Sequence, residues 1–126
     1  MKPRRVLVVD DDDIIREVAK VALEVVGGWQ VSTATSGAEA GQIAAEVQPD
    51  VVLLDVMMPA LDGPSTAALL REDPRTRDLP VIFLTAKSAL AEDRLDEVPN
   101  LVGVIGKPFD PMSLADEINR LVGWGD

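Results

Sequence analysis

The sequence predicts an α/β domain: a five-stranded parallel sheet with helices packed on both of its faces. Three observations predict it. The runs Val6-Leu7-Val8-Val9, Val51-Val52-Leu53-Leu54, Val81-Ile82-Phe83-Leu84 and residues 101–106 are polar only at their ends, as strands buried on both faces are. Stretches of helical periodicity alternate with these runs, and βαβαβαβαβα order makes the sheet parallel. Finally, each run ends in a residue that can do chemistry: Asp10 and Asp11, Asp55, Thr85 and Lys107. If the strands are parallel, these residues share one edge, which is where open α/β sheets bind ligands.

Taken in order, residues 5–9 form the first strand. A helix over 13–26 follows, with Ile14, Val18, Ala22 and Val25 on one stripe and Gly27-Gly28 at its end. Residues 29–34 read as the second strand. Ser36 is the expected N-cap of the next helix, with Glu39 as its capping-box partner. That helix runs to about residue 47, and Pro49 follows its end. The third strand is 51–54, then come a loop over 59–63 and a third helix over 64–71. Residues 79–84 make the fourth strand, a fourth helix covers 89–97 before Pro99, and 101–105 is the fifth strand. Pro111 suits the first helical position behind Asp110, and Leu114, Ile118 and Leu121 form the buried stripe of a fifth helix. No linker or low-complexity segment interrupts the chain, so residues 1–126 are expected to be one domain with no output domain.

Composition narrows the chemistry. The 126 residues suffice for a core without staples, and 47% apolar content argues against disorder. With no cysteine there are neither disulfides nor thiolate metal sites. With no histidine, imidazole acid–base chemistry is excluded as well. A net charge of −10 argues against binding nucleic acid through its phosphates, although the acids are spread along the chain and serve solubility first. Arg4-Arg5 hints at an export signal, but only four apolar residues separate it from Asp10, too few for an h-region. No stretch approaches membrane-spanning length, so the cytoplasm is the expected location.

Asp10-Asp11-Asp12-Asp13 is the most acidic stretch. Acids favour helix N-termini, and this accounts for Asp12 and Asp13. Asp10 and Asp11 lie at the strand tip, where an oxygen-only cluster suits a hard cation such as Mg²⁺. An EF-hand is excluded, because its glycine, its alternate-position ligands and its closing glutamate are missing. Asp55 alone would read as a loop acid capping the next turn. Set against two further carboxylates it ionises less readily, and the trio calls for a cation. With Mg²⁺ bound, Asp55 becomes a nucleophile whose product is an acyl phosphate. Thr85 alone would be an ordinary β-branched strand residue. Lys107, at the inner end of a buried strand, must pair with an anion or reach solvent. Lys87 belongs at the loop rim near Thr85.

These segments, Val6-Leu7-Val8-Val9-Asp10-Asp11, Leu53-Leu54-Asp55-Val56-Met57-Met58-Pro59 with Asp62-Gly63, Leu84-Thr85-Ala86 and Lys107-Pro108-Phe109, resemble the signature of bacterial two-component response-regulator receiver domains. The resemblance spans the chain in order. It implies that Asp55 is the phosphoacceptor, that Asp11 and Asp55 ligate Mg²⁺ directly, and that Asp10 does so through water. Met57 would contribute its backbone carbonyl, Thr85 a hydroxyl to one phosphoryl oxygen, and Lys107 an ammonium to another. It further implies a cis Lys107-Pro108 bond and a flavodoxin-like sheet of order 2-1-3-4-5. Two departures stand out. Val104 occupies the position where many members carry a switching aromatic, and Pro99-Asn100-Leu101-Val102 replaces the more usual segment before the fifth strand.

The function so implied is that of a stand-alone, chemotaxis-type receiver. It takes a phosphoryl group from a histidine kinase or histidine phosphotransfer protein and passes the signal to a protein target through the surface of the fourth helix, fifth strand and fifth helix. It assists its own phosphorylation and dephosphorylation without being a conventional enzyme, and neither nucleic acid nor membrane insertion is involved. A phosphorylation-independent adaptor with this fold is the alternative, for which Val104 leaves room and against which the complete set Asp10, Asp11, Asp55, Thr85 and Lys107 weighs. A haloacid-dehalogenase-type phosphatase fits worse, since its Asp-x-Asp nucleophile follows the first strand.

Overall fold

In the computed structural model, which describes residues 4–58, 62–86 and 98–124, the apolar runs lie side by side in one sheet. Arg5–Val9 (β1), Gln30–Ala34 (β2), Val51–Asp55 (β3), Val81–Ala86 (β4) and Leu101–Lys107 (β5) are all parallel, in the order β2-β1-β3-β4-β5. The described helices are Asp13–Val25 (α1), Gly37–Val47 (α2), Gly63–Glu72 (α3) and Leu114–Val122 (α4). The helix expected over 89–97, and Lys87 before it, lie outside the described residues.

The run pattern explains the layering. Successive strand side chains point to opposite faces, so Val6, Val8, Val51, Leu53, Ile82 and Leu84 pack with α1 and α4 through Ala19, Leu23, Leu114 and Ile118. The alternate set, Leu7, Val9, Val52, Leu54, Val81 and Phe83, packs with α2 and α3 through Ala40, Ala44, Ala67 and Leu70. Full burial of one such large side chain contributes about 1.5–3 kcal/mol. Two cores therefore grip the sheet from either side and hold its carboxyl edge in place.

Strands β3, β4 and β5 run past their apolar stretches, so Asp55, Thr85 and Lys107 sit inside the ladder. The register pairs Asp55 with Leu84, Thr85 with Gly106 and Ala86 with Lys107. Backbone pairing is indifferent to side-chain polarity, which is why the apolar run understated each strand's length.

Several helix ends follow local chemistry. Asp12 caps α1 by accepting from the N–H groups of Ile14 and Ile15 at 2.9 and 3.3 Å. Ser36 caps α2 by accepting from Glu39 N–H at 3.2 Å, while the Glu39 carboxylate accepts from Thr35 N–H at 2.9 Å. Asp62 caps α3 by accepting from Ser65 N–H at 2.8 Å. The last helix starts later than Pro111: residues 111–113 form a turn stapled by the Asp110 carboxylate, which accepts from Met112 N–H and Ser113 O–H.

The expected stripe on α1 needs correction. Ala22 is buried, but Ile14 is 73% and Val25 76% exposed, with Val18 and Val21 also outward. The face against the sheet is Ala19, Ala22 and Leu23. The helix carries two apolar stripes a third of a turn apart, and the one with alanines approaches the sheet closely.

Candidate functional site

The carboxyl ends of β1, β3, β4 and β5 deliver Asp10, Asp55, Thr85 and Lys107 to one place. Asp10 is fully buried, and Asp55 and Thr85 nearly so. Carboxylate oxygens of Asp10, Asp11 and Asp55 all lie within 4.8 Å of one another. Lys107 Nζ stands between two of them, 2.7 Å from Asp10 Oδ2 and 3.1 Å from Asp55 Oδ1. The predicted acids and lysine do converge, and the lysine resolves its burial by pairing with both carboxylates rather than by extending to solvent.

Electrostatics within the cup are unbalanced. Burial pushes the Asp55 carboxyl up from 3.8 to about 6, and the neighbouring Asp10 charge adds to the rise. The hydrogen bond and charge of Lys107, and a 3.3 Å hydrogen bond from Met57 N–H, pull the other way without cancelling it. For Lys107 burial favours the neutral amine, yet the Asp10 and Asp55 carboxylates outweigh it and raise the ammonium above its ordinary value. One lysine thus serves two buried acids, and a third carboxylate, Asp11, projects at the exposed lip. Such an excess of negative oxygen ligands suits a divalent hard cation.

The loops that frame the cup are fixed by the sequence. Asp12 N–H donates to Asp10 Oδ1 at 2.9 Å, so the β1–α1 turn closes on the buried acid itself. Below Asp55, Gly63 N–H donates to Val56 O at 3.0 Å. A Cβ at Gly63 would stand 2.8 Å from Val56 Cα and 3.0 Å from Asp55 O, so only glycine allows the chain to return this close to the acid. Met57 turns its side chain outward, 66% exposed. The Lys107-Pro108 peptide bond is cis, as expected.

Two further sequence readings are settled by contacts. Asp12 and Asp13 are helix-start acids: Asp12 is the cap, and Asp13 pairs with Arg16. Asn100, in the segment that departs from the usual pattern, accepts from Arg71 Nη1 at 3.1 Å and donates to Arg77 O. It ties the entry to β5 onto the end of α3. Val104 is half-buried against the core that contains Phe83.

Sequence reasoning passed over one residue at the cup. Arg16 donates from Nη1 to the Asp10 main-chain oxygen at 2.8 Å and from Nη2 to Asp13 Oδ1, and its side chain is only 16% exposed. The available signal was its place: the first cation after four acids, three residues beyond Asp13.

Comparison with known proteins agrees with the fold. Residues 6–119 match the sequence model of the response regulator receiver domain. The chain is 32% identical over 118 residues to the DNA-binding dual master transcriptional regulator RpaA of Synechocystis sp., covering 94% of this chain and 48% of that protein. It thus spans about half the length of the curated relatives it matches. Among solved structures it is similar to the chemotaxis protein CheY4 of Vibrio cholerae, with a TM-score of 0.86, 29% identity and coverage of 94% and 98% of the two chains. It is also similar to the receiver domain of the sensor histidine kinase PA1611 of Pseudomonas aeruginosa, with a TM-score of 0.83, 25% identity and coverage of 96% and 98%. That structure has a magnesium ion coordinated in its active-site cleft.

Proposed function

The chain belongs to the response regulator receiver domain family of two-component systems, and on that premise we propose that it accepts a phosphoryl group on Asp55 and thereby switches its contacts with other proteins. The observation that carries this reading is the cup itself, where Asp55, Asp10 and Asp11 share one site with Lys107.

A Mg²⁺ ion held by Asp11, Asp55 and the Met57 carbonyl, with Asp10 acting through water, would supply positive charge against the incoming phosphoryl oxygens. The donor set fits, being oxygen-only and within 4.8 Å, with three carboxylates set against the single ammonium of Lys107. Asp55 attacks phosphorus with a carboxylate oxygen; the new O–P bond forms as the P–N bond of the donor's phosphohistidine breaks, and the imidazole leaves. Lys107 Nζ, already 3.1 Å from Asp55, pairs with one phosphoryl oxygen. The Thr85 hydroxyl, one residue past the β4 partner of Asp55, takes another. All the chemistry is done on the protein's own side chain, which makes it a self-assisted switch and not a turnover enzyme.

The phosphohistidine lies outside these 126 residues, which contain no histidine. A histidine kinase or a histidine phosphotransfer protein supplies it. The outward ridge of Ile14, Val18, Val21 and Val25, beginning one residue after the acidic run, supports a protein partner, because contiguous exposed apolar surface marks such contacts. The downstream target reads the phosphorylated state through the surface of β5 and α4, to which the 89–97 segment, ahead of β5 in the chain and outside the described residues, is expected to add. Phosphorylation adds about −1.5 to −2 charges, and drawing Lys107 and Thr85 toward it biases the loops that carry them. No described helix is long and apolar enough to cross a membrane, and we place the protein in the cytoplasm with its phosphodonors.

The test is incubation with Mg²⁺ and a small acyl-phosphate donor, followed by intact-mass measurement. The wild type gains the mass of one phosphate, whereas Asp55→Asn, or the wild type with the metal chelated, gains none. A wild type that stays unmodified points instead to the phosphorylation-independent adaptor, and uptake undiminished in Asp55→Asn would move the acceptor elsewhere.

A further inference from the structure

We propose that Arg16 is a positioning residue that holds the β1–α1 turn so that Asp11 is presented to the cation. The inference rests on the reading above that the acidic trio takes a divalent metal. Four adjacent carboxylates repel one another, and nothing intrinsic to such a run keeps it in one conformation. Arg16 is the cation that does so. One arm of its guanidinium donates to the Asp10 main-chain oxygen at 2.8 Å, and the other donates to Asp13.

Each oxygen of Asp10 is thereby engaged. Its main-chain oxygen accepts from Arg16, Oδ1 from Asp12 N–H at 2.9 Å, and Oδ2 from Lys107 at 2.7 Å. Asp12 is fixed in turn as the α1 cap. Asp11 lies between two immobilised neighbours and makes no hydrogen bond or ion pair among the described residues. The turn is built to satisfy every acid except the one at the lip. A lysine could carry the charge of Arg16 but not its planar fork, which reaches two acceptors at once. Ordering so long a side chain at 16% exposure costs rotamer entropy, so its position reflects contacts made inside the turn.

The experiment is Mn²⁺ binding, followed by the loss of the free-ion signal in electron paramagnetic resonance, on the full chain. Outer partners of metal ligands typically change affinity by 10–100-fold. Arg16→Ala is expected at the low end, about tenfold weaker, and Arg16→Lys between it and the wild type. Thr76→Val, which removes a buried hydroxyl far along the chain from the cup, serves as the destabilised control and binds as the wild type does. If both Arg16 variants melt earlier yet bind Mn²⁺ with wild-type affinity, Arg16 is only structural and the inference is overturned. If Arg16→Ala does not fold, Arg16→Lys decides alone, since unchanged affinity there removes the fork. A wild type that binds no Mn²⁺ defeats the metal reading itself, a result distinct from the first.

Discussion

The two ends of the sheet solve opposite problems. At the amino ends of the strands, polar side chains tie neighbouring loops together through hydrogen bonds. Thr76 donates its hydroxyl to Leu70 O at 2.6 Å, the Gln48 amide donates to Ala45 O and Arg75 O, and Asn100 joins Arg71 to Arg77. Trp29 and Trp124 meet edge to face at 5.4 Å, with the Arg4 guanidinium 4.6 Å from the Trp124 ring centre. At the carboxyl ends, two buried acids share one lysine, and the Asp55 carboxyl is pushed up to about 6. One end is electrostatically settled and serves stability. The other keeps an unmet charge, which is what a cation and a phosphoryl group would use. The contrast places the cost of function where the chemistry happens.

The largest break in that comparison should come from Lys107→Ala. It leaves Asp10 and Asp55 without their cation, and removing one partner of a buried pair costs about 3–5 kcal/mol. Urea titration at pH 7 should give a loss near the lower figure, since the side chain is 20% exposed, and the loss should shrink below pH 6 as Asp55 takes up a proton. An equal loss at pH 7 and pH 4 would contradict the shared-lysine account.

Next in size, Thr76→Val at the settled end orphans the Leu70 carbonyl and should cost about 1–3 kcal/mol in the same titration. Phosphoryl uptake from the small donor should be unchanged once the protein is folded. A parallel loss of uptake would show that the two ends are not independent.

The smallest effect has the opposite sign. Because the folded-state pKa of Asp55 is raised, the folded protein holds this proton more tightly than the unfolded chain does. Its contribution favours folding below about pH 4 and is lost as pH rises through about 6. Asp55→Asn should therefore be more stable than the metal-free wild type at pH 7, by about 1–2 kcal/mol after screening by water at the open lip. The difference should vanish near pH 4. Calorimetry of both proteins across that range, without metal, checks it; a less stable Asp55→Asn at pH 7 would reverse the assignment of cost to this end.

Much of the site was legible because strand tips are easy to read. Apolar runs closed by Asp10, Asp55, Thr85 and Lys107 announce both a strand and the residue it delivers. Glu39 behind Ser36 was an equally local signal, and Ser36 caps the helix as expected by accepting from Glu39 N–H, whereas the Asp62 cap of α3 was not read from the sequence. Arg16 was not legible, since a basic residue in a helix start is commonplace and only its contacts give it meaning. Pro111 misled for a related reason: its fixed φ suits a helix start and a turn alike, and the Asp110 carboxylate chose the turn.

What the sequence by itself determined is the alternation of strand and helix, hence a parallel sheet, and the identity and order of the chemical groups along its edge. Those features are written in runs and spacings of only a few residues. Tertiary structure alone decided which stripe of α1 faces the sheet, that Lys107 divides itself between Asp10 and Asp55, and that Arg16 closes the acidic turn. Each of these is a choice among partners distant in sequence, made by close packing and by the need of a buried charge for its opposite, and neither force is visible until the chain has brought the competitors together.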